Sequence, residues 1–235
     1  MIATDGERKP DEAASEPRAS AISFITTEHF TLQGARSATI AESTGRASTF
    51  LASVSGGLVA WGLVATATGV GGAFFAFGLV LLPTVAFVGF VTFERTLQSG
   101  IEDLGYARRI ARLRAYYFDN APELAPYLLT VRPERQLAGR PAREAAASLV
   151  AEGLQRGYLL QGFRTVAGMV GVITAVLAGS EGGLAVAAAF DAPAAALATG
   201  CVVALAVLFG LMRYQRHAWA RAMAAPIAED EAPPT

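Results

Sequence analysis

The sequence predicts an all-α fold, a four-transmembrane-helix bundle with helical cytoplasmic extensions. The chain has 235 residues, of which 53% are hydrophobic and 17% are charged, whereas soluble domains carry about 25% charged residues. The apolar residues are concentrated in four blocks, and the connections inside the first and second pairs of blocks contain no basic residue. These features are typical of a multi-pass membrane protein, because a soluble bundle of wholly buried helices would need much more polar surface.

Each block approaches the length of a membrane span, which is about 20 residues, with a range of roughly 17 to 25. The blocks are residues 50–67, 73–93, 165–179 and 194–212. The third block is short, so we expect "YLLQGF" before it to lengthen the span, with Arg164 reaching the headgroups.

The blocks divide the chain into six predicted segments. In chain order they are a disordered N-terminal tail (1–25), a cytoplasmic helix (26–48), a first transmembrane hairpin (49–93), a cytoplasmic helical segment (94–164), a second transmembrane hairpin (165–213) and a cytoplasmic C-terminal tail (214–235). The N-terminal prediction rests on an acidic, proline-containing composition without a hydrophobic signal-peptide core.

The arginines predict how the chain is oriented. All 19 basic residues lie in the N-terminal, central or C-terminal segments. One arginine flanks each span on that same side, and these topology anchors are Arg46, Arg95, Arg164 and Arg213. Cytoplasmic loops carry an excess of arginine and lysine. We therefore expect both termini and the central segment to lie in the cytoplasm. The abundance of arginine, alanine and glycine suggests a GC-rich bacterial genome, so the expected membrane is a bacterial inner membrane.

Several residues inside the blocks concern helix shape and packing. Pro83 predicts a kink, with a transporter-type hinge as the alternative. Small residues predict close helix packing, and they are Gly56, Gly57, Gly62, Gly168, Gly171, Ala175 and Gly200. Gly179 and Gly183 have GxxxG spacing but straddle Glu181, which makes that motif weak. The single cysteine, Cys201, is interpreted as a small buried apolar residue.

The stretch "GYARRIARLRAYYFDN" predicts an amphipathic cytoplasmic helix. Leu97, Ile101 and Leu104 share one helical face. The next apolar stripe lies roughly opposite and consists of Tyr106, Ile110, Leu113 and Tyr117. Because the stripe changes sides at Gly105, we expect a break or a sharp bend there. A second cytoplasmic helix is predicted to start near Pro141.

Arg108, Arg109 and Arg112 lie opposite the tyrosine-bearing stripe. Such a helix suits contact with lipid headgroups or with a protein partner. The alternative is a helix packed on its neighbours with a solvated basic face. Nucleic acid is not an expected partner, because eight acidic residues are interspersed with the eleven arginines of residues 94–164.

The sequence contains no motif that indicates catalysis or a cofactor. Phosphate-loop, HExxH, GxSxG, CxxC and dinucleotide-binding patterns are absent. Two histidines and one cysteine make a poor set of metal ligands. The four blocks contain no ionisable side chain of the kind that ion-coupled transporters use. We therefore expect no enzymatic activity, no cofactor and no metal site.

Two stretches resemble a known group of proteins. They are "FTLQGARSATIAESTGRASTFLASVS" and "LQSGIEDLGYARRIARLRAYYFDNAPEL". Both are similar to four-span integral membrane proteins that are widespread in actinobacteria and have no assigned activity. The resemblance covers most of the chain, from the cytoplasmic helix to the last span. In layout only, the chain is also similar to four-span membrane effectors of bacterial nucleotide-signalling defence systems, and that likeness identifies no ligand residue.

These observations lead to two functional hypotheses. The first is a non-enzymatic integral membrane protein whose basic helical cytoplasmic face contacts lipid headgroups or a protein partner. The second is an oligomeric effector or channel-like protein that perturbs the bilayer on a cytoplasmic signal. Membrane lipids are the expected partners in both hypotheses, and homo-oligomers are compatible with either.

Overall fold

The computed structural model describes residues 10–120, 165–190 and 192–224, with side chains from residue 22 to 114 in the first range. These residues form four α-helices: α1 (Pro10–Thr68), α2 (Gly72–Asn120), α3 (Val166–Ala189) and α4 (Pro193–Ala224). Each contains a segment long and apolar enough to cross a membrane. The predicted class, an all-α fold with four candidate transmembrane helices, is confirmed.

The chain is divided into two compact units. The bundle unit comprises Thr39–Leu104 and Gly153–Thr235, and the extension unit comprises Met1–Ala38 and Gly105–Glu152. The core of the bundle unit consists of buried apolar side chains from all four helices, namely Phe50, Leu82, Val85, Phe93, Leu97, Ala167, Val170, Leu177 and Leu211. Leu32 and Ile110 are buried in the extension unit.

Large apolar side chains also cover the outside of the bundle unit. Val80, Phe87, Leu197 and Phe209 are each between 68% and 72% exposed. Water-soluble monomers rarely expose contiguous apolar surface on this scale. In a membrane the same side chains would contact acyl chains, which agrees with the membrane-protein class.

Aromatic rings packed on glycines hold the bundle unit together. A Cβ atom on Gly89 would lie 2.8 Å from the Phe50 ring, and one on Gly171 would lie 3.1 Å from the Phe93 ring. Gly78 similarly receives Trp61, whose indole N–H donates to the Phe74 carbonyl at 3.1 Å. These contacts join α1 to α2 and α2 to α3 at glycines where an added methyl group would press on a ring, most closely at Gly78 and Gly89.

Helices α3 and α4 approach each other through their backbones. A Cβ atom on Gly179 would lie 2.5 Å from the Gly200 carbonyl oxygen and 2.6 Å from the Ala204 Cβ. One on Gly183 would lie 3.0 Å from the Ala196 carbonyl oxygen. The Gly179 and Gly183 spacing is therefore a packing motif, and its interpretation as weak is wrong. By contrast, a Cβ atom on Gly56 or Gly62 would meet no described atom within 4 Å.

The two hairpin connections differ from each other. Gly69 ends α1 with a φ of +72°, and its amide donates to the Ala65 carbonyl at 2.9 Å. This left-handed glycine is a common helix terminator, and it lies in the predicted "TGVGG" connection. The second connection is much shorter than the predicted "SEGGLAVAAAFDAP", because α3 continues to Ala189.

The third span is therefore extended at its C-terminal side, while "YLLQGF", which we expected to lengthen it, lies outside the described residues. Thr165 caps α3 in an extended conformation, and its hydroxyl accepts the Gly168 amide at 3.0 Å. The helix has 24 residues, about 36 Å at 1.5 Å per residue. Its glycines near Glu181 pack against α4, and the following "LAVAAA" is rich in helix-forming alanine.

Two further expectations, a disordered tail as far as residue 25 and a break at Gly105, are wrong, and a third point concerns the length of α4. Helix α1 begins at Pro10 and includes residues assigned to the N-terminal tail, since "PDEAASEPRA" supplies helix formers after a proline suited to the first turn. Helix α2 continues through Gly105. A single glycine inside a helix costs about 1 kcal/mol relative to alanine, which is too little to end it. At the C-terminus, α4 extends the predicted tail helically to Ala224.

Two other points concern single residues. Cys201 is exposed on α4, so its interpretation as a buried apolar residue is wrong. Pro83 lies within α2, which continues on both sides of it. The predicted helix from Pro141 and the anchor Arg164 lie outside the described residues.

We predict that Gly179→Ala lowers the free energy of unfolding by about 1–3 kcal/mol, the usual cost of overpacking. The added methyl group would meet the Gly200 backbone, which cannot move aside as a side chain can. Gly62→Ala is the matched control, because it adds the same methyl group in a helix without a described neighbour. Reversible unfolding in detergent would measure both, and equal stability of the two variants would contradict the packing role of Gly179.

Candidate functional site: the polar end of the bundle

One end of the bundle unit is defined by polar contacts between three helices. The Tyr214 hydroxyl of α4 donates to Glu94 Oε1 of α2 at 2.9 Å. The Gln215 amide of α4 donates to the capping hydroxyl of Thr165 at 3.3 Å, and Gln215 is only 3% exposed. The C-terminal parts of α2 and α4 within this unit therefore meet the start of α3, and we call this region the polar end.

The same end continues onto α1. Phe50 packs on Gly89, so the residues just before Phe50 lie level with those just after Gly89 in the antiparallel hairpin. Trp219 lies beside Gly100, where a Cβ atom would be 3.4 Å from the indole ring. All four helices thus contribute side chains to the polar end or its immediate surroundings.

The described topology anchors lie at this end. Arg46, Arg95 and Arg213 are exposed, and each adjoins a contact that defines the polar end. Arg46 also pairs with Glu42, to whose Oε1 its Nε and Nη2 donate at 3.0 and 2.7 Å. Three of the four predicted anchors are therefore brought together at one end of the helices.

Charge is distributed unequally along the bundle unit. Residues 50–93, 165–190 and 192–212 include one charged residue, Glu181. That residue lies on α3, which runs away from the polar end. The opposite end contains the uncharged turn at residues 69–71 and the Trp61–Phe74 ring stack, whose centroids are 4.8 Å apart. Basic residues of the described bundle unit are thus confined to the polar end.

A hydrogen bond modifies the chemistry of Tyr214, which lies beyond the last apolar block. Donation to the Glu94 carboxylate stabilises the protonated phenol and raises the pKa of Tyr214. Partial burial and the negative charge of Glu94 act in the same direction. The phenol therefore remains a donor at neutral pH, and this contact is structural in character.

The predicted basic face lies on the part of α2 that belongs to the extension unit. Ile110 of the apolar stripe is buried at 5% exposure, while Tyr106 and Leu113 are half-buried. Arg109 and Arg112 are exposed and Arg108 is half-buried. Tyr117 lies within α2, but its side chain is outside the described ones. In the described part of this stretch, the buried side chain is therefore apolar and the two exposed ones are arginines.

The extension unit also contains a histidine in an electropositive position. Partial burial lowers the pKa of His29, and the positive charge of Arg114 lowers it further. The Nε2 atom of His29 lies 3.0 Å from the Gln33 amide nitrogen, one turn along α1. A neutral imidazole can accept that amide hydrogen, so the contact agrees with the lowered pKa.

Sequence reasoning did not identify Glu94, Thr165, Tyr214 and Gln215 as a connected set. Each lies next to or within two residues of a predicted anchor, and that proximity was the available signal. Their pairing depends on how α2, α3 and α4 meet in space. Within the described ranges, no cluster of histidine, cysteine and acidic side chains could hold a metal ion.

Comparison with known proteins does not extend this description. No protein family matches the chain, and no curated protein or solved structure is similar to it. The helices, their ends and their charges are therefore the features from which a function can be inferred.

We predict that Thr165→Val destabilises the protein by about 0.5–2 kcal/mol, the cost of losing a helix cap. Valine keeps the branched shape but cannot accept the Gly168 amide or the Gln215 amide. Thr165→Ser is the control, because it keeps the oxygen and should retain most of the stability. Unfolding in detergent would measure the difference, and a valine variant as stable as the parent would contradict the role of the hydroxyl.

Proposed function

We propose that this chain is a non-enzymatic integral protein of a bacterial cytoplasmic membrane, with both termini in the cytoplasm and a basic helical face that contacts anionic lipid headgroups. The observation that carries the proposal is the charge difference between the two ends of the bundle unit. Arginines flank the helices at the polar end, and the opposite turn at residues 69–71 is uncharged.

The orientation follows from that difference. Short loops rich in arginine and lysine are retained on the cytoplasmic side during insertion. Arg46, Arg95 and Arg213 would therefore lie at the cytoplasmic headgroups, and the turn around Val70 would face the other side of the membrane.

The contact with lipid is supported by the arrangement around Ile110. An amphipathic helix places its apolar residues inward and its arginines outward, and Arg109 and Arg112 are exposed. Anionic lipid at the cytoplasmic leaflet attracts such residues by about 1 kcal/mol per charge. We favour lipid over a protein partner because the exposed arginines need only anionic groups as partners, and anionic lipid is present at any cytoplasmic leaflet.

A non-enzymatic role is supported by the sequence, which contains none of the nucleophile, phosphate-binding or metal-binding motifs considered above. Contact between the arginines of the basic face and anionic headgroups requires charge attraction and no reaction. The proposed kinship with the four-span actinobacterial proteins rests on the two resembling stretches alone.

Membrane orientation can be tested with a membrane-impermeant maleimide on intact cells. In a Cys201→Ala background, we predict labelling of Val70→Cys and Phe190→Cys, whose parent side chains are 74% and 66% exposed. Ser23→Cys, also at an exposed position, is the control and should react only after lysis. Labelling of Ser23→Cys in intact cells would show that the orientation is wrong.

The lipid contact can be tested in nanodiscs that contain a fluorescence-quenching lipid. A dye is attached to Ala111→Cys in the Cys201→Ala background. We predict that an anionic quencher lipid quenches this dye more strongly than a zwitterionic one, and that the difference decreases as salt screens the arginines. Changing Arg108, Arg109 and Arg112 to Gln should remove that difference.

The matched control changes three arginines of α4, namely Arg213, Arg216 and Arg221, to Gln. It alters the net charge equally but leaves the basic face intact, so the preference for the anionic quencher should remain. Equal quenching by both lipids in the parent protein would refute lipid contact and favour a protein partner for this face.

A further inference from the structure

A cleft lies between α1 and α2 of the bundle unit, beside the polar end. Its volume is about 470 Å³, and its walls include Glu42, Arg46, Thr49 and Ser53 of α1 and Val88 and Thr92 of α2. Phe50, which is 1% exposed, also lines it. From residue 42 to residue 53 the cleft extends about 16 Å along α1 at 1.5 Å per residue. It therefore runs from a charged pair into the first apolar block.

The charged end presents both signs side by side. Arg46 Nε and Nη2 both donate to Oε1 of Glu42, so this contact uses neither Glu42 Oε2 nor Arg46 Nη1. The two side chains are about half exposed, at 54% for Glu42 and 47% for Arg46. A ligand with an anionic and a cationic group a few ångströms apart matches this pair, whereas a purely anionic ligand would be repelled by the carboxylate.

The hydroxyl groups in the cleft favour a hydrogen-bond donor. Thr49 donates to Gly45, Ser53 to Thr49 and Thr92 to Val88, each to a backbone carbonyl four residues earlier. Because each hydroxyl hydrogen is used within its own helix, the oxygens offer acceptor lone pairs to the cleft. At the charged end, Glu42 Oε2 is likewise an acceptor, to which a primary ammonium group can donate, while a quaternary ammonium has no N–H to donate.

The other end of the cleft is apolar. Phe50 packs on Gly89 below the cleft, and Val88 is 40% exposed at its wall. The adjoining residues of α1 and α2 belong to the apolar blocks. An acyl chain can lie along this part of the cleft, so the charged end, the acceptors and the apolar end follow the order of groups in a phospholipid.

We propose that the cleft binds one zwitterionic glycerophospholipid with a primary-ammonium headgroup. Its ammonium group contacts Glu42, its phosphate contacts Arg46, and one acyl chain covers Phe50 and Val88. The proposal rests on the membrane insertion proposed above, but it concerns a site separate from the basic face around Arg109.

Native mass spectrometry of the detergent-purified full chain can test this site. The probes are three lipids with identical acyl chains and ethanolamine, choline or glycerol headgroups. We expect one ethanolamine lipid to remain bound at detergent concentrations that remove the other two. Losing a charge-assisted hydrogen bond should reduce retention about tenfold in Arg46→Gln.

Glu42→Gln has a different expected result. It removes the charge that pairs with ammonium, so the preference for ethanolamine over glycerol lipid should disappear while some phosphate binding remains. Arg213→Gln is the control, because it removes an exposed arginine near the same end without lining the cleft. Its retention of ethanolamine lipid should equal that of the parent protein.

A third variant keeps the proposal testable if the charge variants misfold. Ser53→Leu fills the apolar part of the cleft from an exposed helical position and should also expel the lipid, with an unchanged unfolding temperature. Equal retention of all three lipids by the parent protein would overturn the proposal, and so would normal lipid retention in Arg46→Gln. The proposal would also be overturned if the parent protein were a dimer and Ser53→Leu lost the dimer but kept the lipid. The last outcome would identify a second copy as the occupant.

The tests of the proposed function remain separate. A reversed maleimide pattern, or a basic face indifferent to anionic lipid, would refute that function and leave the retention result unchanged. Loss of headgroup selectivity in native mass spectrometry would refute the cleft proposal while the labelling pattern stays as expected.

Discussion

Close backbone approach is the constraint on which the bundle unit depends. In a bilayer the lipid tails are as apolar as the helix surfaces, so hydrophobic burial does little to hold helices together. Van der Waals contact must supply the association, and it requires surfaces that meet without gaps. Gly89 and Gly171 provide sockets for the rings of Phe50 and Phe93, while Gly179 and Gly200 allow two backbones to touch. The remaining apolar surface is then left to face lipid.

The polar end is compatible with this packing because its groups pair with one another. Thr165 both caps α3 and accepts the Gln215 amide, and Tyr214 donates to Glu94. Such contacts fix which helix ends lie together, since each depends on a partner at one height along a neighbouring helix. Ring-on-glycine packing sets the distances between helices, and these hydrogen bonds complement it by setting their register.

The fold class and helix number could be predicted from the sequence because apolar length alone determines them. The turn at Gly69 was also predictable, since glycine-rich chain without charge separates two blocks. The continuation of α3 past Glu181 was not predictable from hydropathy, because a charged residue and two glycines are typical of a loop. Those glycines face α4, which only the structure reveals. Likewise, the outward position of Cys201 depends on the rotation of α4 about its axis. The sequence does not predict that rotation, because α4 is apolar on almost all of its faces in this segment.

The distribution of ring-on-glycine contacts has a consequence for biogenesis. Phe50 with Gly89 and Trp61 with Gly78 are contacts inside the first hairpin, and Gly179 with Gly200 is a contact inside the second. These contacts can therefore form as soon as the two helices of each hairpin have entered the bilayer. Three other contacts join the hairpins and must wait for the later one, namely Phe93 with Gly171, Leu184 with Gly78 and Thr174 with Gly89. The order of synthesis thus matches the order in which these contacts can form, and the last step of assembly is the docking of the two hairpins.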